Sequence, residues 1–479
     1  MTDEIEALLA CTRDVPNCKP THTQDCSDVV NVSIYFDGTG NNKDVDESLR
    51  KWSNIARMHE AAEARKSNLN HVIYIPGIGT KFQYPKRSSF AAAIEDSAVF
   101  GGGLGWGADA RIGGAADQVQ SRILESLNAL AQKTDAIAKG DEEAKKAQGE
   151  SDVATAIGKH RLIRVVNFYL FGFSRGASLA RAFANDLVAN CFKGEEGALL
   201  YQRAGGDPIP MRIVFMGLFD TVASFGAPAA NLNPHMRLAI PKEVEQCVHF
   251  TAAHELRFSF PLELAQPLGA AAPNVREVVY PGAHSDVGGG YEPSGPGDAQ
   301  GIGNNAARIP MRDMMRDAVC SGAPMQSYTE LADNPKTKAI FDERYAIAPQ
   351  TQAAYDAYMA TAGASGPLHQ TVDSHVKALY AACGTLHRQG QLMQLAPRYK
   401  DLVDEMAMRE RSANYRPTGK EYAVDMLKQL EPWRVEAWSE TASPAVVHFV
   451  ARYVHNSKLD VSEPSSYFTA RALHEPAQA

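Results

Sequence analysis

The chain has 479 residues, 44% of them hydrophobic and 22% charged, enough for one elaborated α/β domain with additions or for two domains. Its net charge of −8 argues against nucleic acid as a partner and against simple electrostatic adsorption to anionic lipid. No stretch approaches the roughly 20 consecutive apolar residues of a membrane-spanning helix, and the acidic start lacks the basic opening of a secretory signal, so any export would use a route that reads no such signal.

Residues 1–27 are polar and without period, which suggests an arm. It carries Cys11, Cys18 and Cys26, two of which could pair in an oxidising space. Cys191, Cys247, Cys320 and Cys383 are scattered and read as small buried hydrophobes. With no Cys-x-x-Cys pair, neither a zinc site nor thioredoxin-like chemistry is expected, and the odd total leaves at least one thiol free.

The first strong strand spans 28–37 and runs into Gly38-Thr39-Gly40-Asn41-Asn42. A helix is expected over 53–66, then a strand over 71–75 stopped by Pro76-Gly77. The glycine-dense segment 101–107 opens a helical stretch from about 109 to 148. Because no Gly-Lys-Ser/Thr follows, it suits close packing or a mobile flap better than a phosphate cradle. Residues 136–160 read as a solvated helix end and loop.

Further on, an apolar run over 162–170 enters Phe171-Gly172-Phe173-Ser174-Arg175-Gly176-Ala177-Ser178, with helical sequence over 177–188. Apolar strands follow at 211–219, 247–250 and 276–280. Beyond about 300 the patterns are mostly helical, at 304–320, 328–345, 370–395, 397–411 and 444–456. Strands alternating with helices predict an α/β-hydrolase-like, mostly parallel sheet flanked by helices. The expected division is an arm at 1–27, a catalytic domain at 28–300 and a mainly helical cap or appendage at 301–479.

Gly172, Ser174 and Gly176 form a Gly-x-Ser-x-Gly pattern between a strand and a helix. Such a turn exposes a serine hydroxyl at a helix N-terminus, ready to attack an ester carbonyl, and the glycines admit the close packing it needs. A serine nucleophile needs a base and an acid, in the chain order Ser, Asp, His for this fold. Asp220 directly follows the 211–219 strand and His284 follows 276–280, which predicts a Ser174–His284–Asp220 triad.

Rivals remain open at this point. Asp220 could simply cap a following helix. Asp286 competes for the acid role but more simply fixes the loop before Val287, and His254 and His455 compete for the base. Oxyanion donors are expected from the N–H of Arg175 and from the Gly38-Thr39 loop; a tight turn with Asp37 bonding to that loop is the plainer reading, and the two are compatible. No cofactor or metal is required. Asp37 and Asp286 are weak candidates for a cation site.

Together, Ile34-Tyr35-Phe36-Asp37-Gly38-Thr39-Gly40-Asn41-Asn42, the elbow at 171–178, Leu218-Phe219-Asp220-Thr221-Val222-Ala223-Ser224 and Pro281-Gly282-Ala283-His284-Ser285-Asp286-Val287-Gly288-Gly289-Gly290-Tyr291 resemble the bacterial type VI secretion lipase effectors with a Gly-Phe-Ser-Arg-Gly-Ala elbow. The resemblance covers residues 29–295. It implies a phospholipase A that is loaded on a spike protein, injected without a signal peptide into a neighbouring cell and active on periplasm-facing membrane phospholipid. It also implies a cognate immunity protein. Ser174, Asp220 and His284 fall in its triad motifs. A soluble carboxylesterase or thioesterase on the same fold, or a non-catalytic spike-associated protein, are the alternatives.

Overall fold

The computed structural model describes residues 28–82, 95, 107–133, 163–194, 198–201, 208–227, 230–231, 236–293, 301–362, 366–413, 431–456 and 471–476. The expected N-terminal arm, the glycine-dense segment apart from Gly107, and the charged stretch 136–160 lie outside the described residues.

Six parallel strands form the centre: β1 (Asp28–Phe36), β2 (Asn70–Ile75), β3 (Ile163–Phe173), β4 (Ile209–Phe219), β5 (Cys247–Ala252) and β6 (Val275–Tyr280). Their spatial order is β6-β5-β4-β3-β1-β2, and the short strands Cys191–Lys193 and Leu199–Tyr201 extend the sheet antiparallel beside β4. Every residue of β4 is buried, as is every residue of β3 except Arg164. Strands covered on both faces are built this way, which is why they read as unbroken apolar runs. Of the polar exceptions, Asn167 donates to Asn31, which in turn donates to Asn70, so a row of amides crosses three strands in register.

Alternate side chains of each strand go to opposite faces. On one face Val166, Phe168 and Leu170 meet Ile123 and Leu127 of α2 (Ala108–Lys133) and Leu179 and Phe183 of α3 (Arg175–Ala189). On the other, Tyr169, Phe171 and Phe173 meet Ile55 and Met58 of α1 (Asn54–Glu63) and Met311, Met314 and Met315 of α5 (Arg308–Cys320), with α4 (His284–Gly288) between them in the chain.

This second core continues through Leu331, Phe341 and Tyr345. The boundary expected near residue 300 therefore does not coincide with a change in packing. The sequence over 304–345 does turn helical, but it does so to cover the sheet. A separate core is built from α6 (Pro349–Ala362), α7 (Leu368–Arg388), α8 (Lys400–Ala413), α9 (Trp433–Ser439) and α10 (Pro444–Tyr453), around Tyr358, Leu379, Leu386, Phe449 and Val450. No described helix is long and apolar enough to cross a membrane. Cys191, Cys247 and Cys383 carry free thiols, and burial pushes the Cys247 thiol up to about 12.

The loops after β4 and β5 are tied to α3 by Arg181, fully buried, which donates to Leu238 O (2.5 Å), Glu263 O (3.0 Å) and Leu264 O (2.8 Å). Arg181→Met would leave these carbonyls without a donor. Urea unfolding should show a loss of about 2–4 kcal/mol, and a loss below about 0.5 kcal/mol would contradict this role.

Candidate active site

The order β2-β1-β3-β4 reverses the direction of winding between β1 and β3, the place where sheets of this kind gather functional loops at the carboxyl ends of their strands. The loop after β1 and the elbow after β3 meet there, joined by Arg175 and Thr39. Ser174 has φ 59° and ψ −130°, a backbone conformation that side chains rarely adopt, and it is held there by Ser174 N–H donating to Phe219 O (3.0 Å) and Val222 N–H donating to Ser174 O (3.3 Å). The two glycines allow the turn to close. A Cβ on Gly172 would stand 2.5 Å from Ala177 Cα, and one on Gly176 would stand 2.3 Å from Asp37 O and 2.4 Å from Phe36 O.

Asp220 follows β4 one strand away, since Phe173 and Phe219 are register partners. No helix begins after it: the residues beyond Asp220 run alongside Leu262–Glu263, so the helix-cap alternative falls away. Asp220 Oδ2 accepts from His284 Nδ1 at 2.5 Å, and Ala252 N–H donates to Oδ1 at 2.7 Å. His284 is the first residue of α4, and its ring lies between Phe173 (centroids 4.6 Å) and Phe260 (5.1 Å). Its Nε2 is buried and has no hydrogen-bond partner among the described residues. Ser174, Asp220 and His284 are 3%, 0% and 4% exposed, so all three are buried.

Burial lowers the His284 pKa below the ordinary imidazole value, against the raising effect of Asp220. Burial alone would raise the Asp220 carboxyl, but the Arg471 guanidinium and the His284 hydrogen bond hold it well below the usual carboxylate range. The pair is therefore a carboxylate holding a neutral imidazole by Nδ1–H, which leaves Nε2 as the acceptor.

The rival residues have other partners. His254 Nδ1 accepts from Gly282 N–H (2.9 Å), and its Nε2 faces Tyr358 Oη and His375 O (both 3.1 Å), so it braces the turn before His284 against the helical region; burial pushes its pKa down to about 3. Asp286 accepts from Ala283 N–H and pairs with His455 Nδ1 at 2.6 Å. His455 thus reaches the turn of His284 from the end of α10, stacked on Tyr291.

In the loop after β1, Gly38 N–H donates to Asp37 Oδ1 at 2.7 Å. The short Asp37 side chain thus turns back on its own loop and takes that N–H, an arrangement the sequence reading holds compatible with an oxyanion role for the loop. Asp37 Oδ2 also accepts from Tyr74 Oη at 2.5 Å, and burial pushes its carboxyl up to about 6 despite these bonds and one from Ser53. Arg175 begins α3, and its Nε donates to Thr39 Oγ1 at 2.7 Å, tying the elbow to the loop. Among the described residues no cluster of three or more His, Cys, Asp or Glu side chains is arranged to hold a metal ion.

Sequence reasoning missed three neighbours. Glu255 receives His284 N–H (3.3 Å) and both Arg257 Nε and Nη2 (each 2.9 Å). His249 Nε2 accepts from Thr221 N–H (3.1 Å) while its Nδ1 meets Glu277 Oε1 (2.8 Å), steadying the residue after Asp220. Arg471, 251 residues beyond Asp220, donates to both of its oxygens. Only Glu255, beside His254, had a local signal to offer.

A parallel sheet flanked by helices, with an elbow serine at its carboxyl edge, defines an α/β-hydrolase-like protein. Residues 31–191 and 199–317 match the catalytic domain of the type VI secretion system (T6SS) phospholipase effectors, Tle1-like, and the chain belongs to that family. Among solved structures, an uncharacterized protein from Pseudomonas aeruginosa is similar at 20% identity and TM-score 0.68, over 99% of this chain and 82% of that one, which shows a shared fold. The Tle1 effector bound to the VgrG spike of the type 6 secretion system aligns at 21% identity over 56% of this chain and 52% of that one, with a TM-score of 0.29. No curated protein matches.

Gly176→Ala puts a methyl group against two backbone oxygens that cannot swing aside. Thermal unfolding should show a loss of about 1–3 kcal/mol, and an unchanged midpoint would contradict the packing described.

Proposed function

We propose that this chain is an antibacterial phospholipase A of the type VI secretion system that works through Ser174, His284 and Asp220. The observation that carries the reading is the 2.5 Å His284–Asp220 contact beside an elbow serine, in a member of a phospholipase effector family. Ser174 Oγ attacks the carbonyl carbon of a fatty-acyl ester as His284 Nε2 takes its proton. The tetrahedral oxyanion is received by the backbone N–H groups of Arg175, at the start of α3, and Thr39. His284 then gives the proton to the leaving glycerol oxygen. Water, deprotonated by the same nitrogen, hydrolyses the acyl-enzyme to free fatty acid. Asp220 stays ionised throughout and holds the ring. No cofactor enters these steps.

Family membership supports delivery by the type VI machinery on a spike protein into the periplasm of a target cell. The substrate there is membrane glycerophospholipid, and a cognate immunity protein protects the producer.

The test is incubation of the protein and its Ser174→Ala variant with mixed phospholipid vesicles, the products identified by mass spectrometry. Fatty acid and lysophospholipid should come from the native protein alone, with kcat/KM reduced at least about 10⁴-fold in the variant. Cleavage of short-chain esters only would favour the soluble esterase, and inactivity on both would contradict the enzymatic reading.

A base must be neutral to accept a proton, and burial lowers the His284 pKa. The acid limb of kcat/KM should therefore have its midpoint below about 6.5; a midpoint above that value would show a base held in a different environment.

A further inference from the structure

The C-terminal residues 471–476 lie against the site. Leu473–His474 pairs in parallel with Leu262–Glu263, with Leu262 N–H donating to Ala472 O (2.9 Å) and Leu264 N–H to His474 O (2.8 Å). Glu263 N–H in turn donates to Thr221 O (2.9 Å), next to Asp220. This small ladder delivers the Arg471 side chain, only 6% exposed, to an aspartate that is fully buried. Arg471 Nη2 donates to Asp220 Oδ2 at 2.7 Å and Nη1 to Oδ1 at 2.9 Å, while Nε donates to Phe260 O, the residue whose ring borders His284.

We propose that Arg471 is a positioning residue for the reaction: its planar fork fixes both oxygens of Asp220 toward His284, and its charge offsets the carboxylate so that the imidazole stays in its neutral, proton-accepting form. The inference rests on the catalytic reading of Ser174, His284 and Asp220.

The geometry suits the role. Asp220 Oδ2 accepts from His284 and Arg471, and Oδ1 accepts from Ala252 N–H and Arg471, so two donors meet each oxygen and the carboxylate has little freedom to rotate. A bidentate guanidinium–carboxylate pair is stiffer than any lysine could provide. The charges around the imidazole also balance. Asp220 and Glu255 face it with negative charge. Arg471 neutralises the first and Arg257 the second, through its own bonds to both Glu255 oxygens. Of the other groups packed there, Asp286 on the same helix is paired with His455, and His254 is buried with its Nδ1 accepting a backbone N–H. Removing Arg471 leaves Asp220 as an uncompensated buried carboxylate beside His284, which favours the imidazolium.

A side chain that merely anchored the C-terminus would leave the titration of His284 where it is. The test is therefore an NMR titration of His284 in protein with ¹⁵N-labelled histidine, its resonance assigned with His284→Gln, for the native chain, Arg471→Gln and Arg471→Lys. Glutamine keeps a donor but no charge, and the His284 midpoint should rise by at least about one pH unit. An unmoved midpoint in the folded glutamine variant would overturn the proposal. Should that variant not fold, the lysine variant decides. It keeps the charge and loses the fork, so the midpoint should hold while kcat on a phospholipid ester falls at least about tenfold at unchanged KM; native kcat would overturn the positioning role. The titration needs no turnover. A native protein that cleaves no ester would sink the catalytic reading while leaving the response of His284 to Arg471 fully measurable.

Discussion

One buried carboxylate gathers this site. Asp220, fully enclosed, accepts from the backbone of β5 at Ala252, from the ring of His284 at the start of α4, and from the guanidinium of Arg471 near the C-terminus. An ionised carboxylate can be buried only where donors and positive charge replace the water it has lost. Three separate parts of the chain meet that requirement here, and in doing so each is fixed relative to the elbow that carries Ser174. The left-handed backbone of both Ser174 and Asp220 belongs to the same constraint: adjacent strands end in sharp turns that aim both side chains into one crevice.

The helical region beyond the sheet takes part in this arrangement. His254, Tyr358 and His375 form a buried chain from the turn before His284 into α6 and α7, with Tyr358 Oη 2.8 Å from His375 Nδ1. His455 holds Asp286 in the turn that begins with His284. His284 is thus braced from its N-terminal side through Gly282 and from its C-terminal side through Asp286. α5 and the residues through Tyr345 seal one face of the sheet, and the helical region, with its own core, is joined to the turn around His284 by polar contacts from His254 and Asp286.

Much of this was legible in the sequence for local reasons. The parallel strands announced themselves as short apolar runs, because both faces are covered. The elbow showed as glycines at fixed spacing, because no side chain fits where Gly172 and Gly176 pack. Asp220 and His284 stood directly after strands, where such a sheet collects its functional groups. What was not legible depended on long-range placement. Nothing near Arg471 marks it as a partner of a residue 251 positions earlier. The bond from Gly38 N–H to Asp37 depends on the conformation of one short side chain, which no sequence pattern specifies. The shift to helical sequence near 300 looked like a domain boundary, although the first of those helices contributes three methionines to the core beneath the sheet.

The central claim is that these converging elements activate one serine. The most direct measurement is to expose the protein to a fluorophosphonate, digest it and map the modified residue by mass spectrometry. The account predicts a single adduct on the peptide containing Ser174, formed far faster than on any other hydroxyl and absent in His284→Gln. No adduct on Ser174, or one formed equally fast without His284, would contradict it.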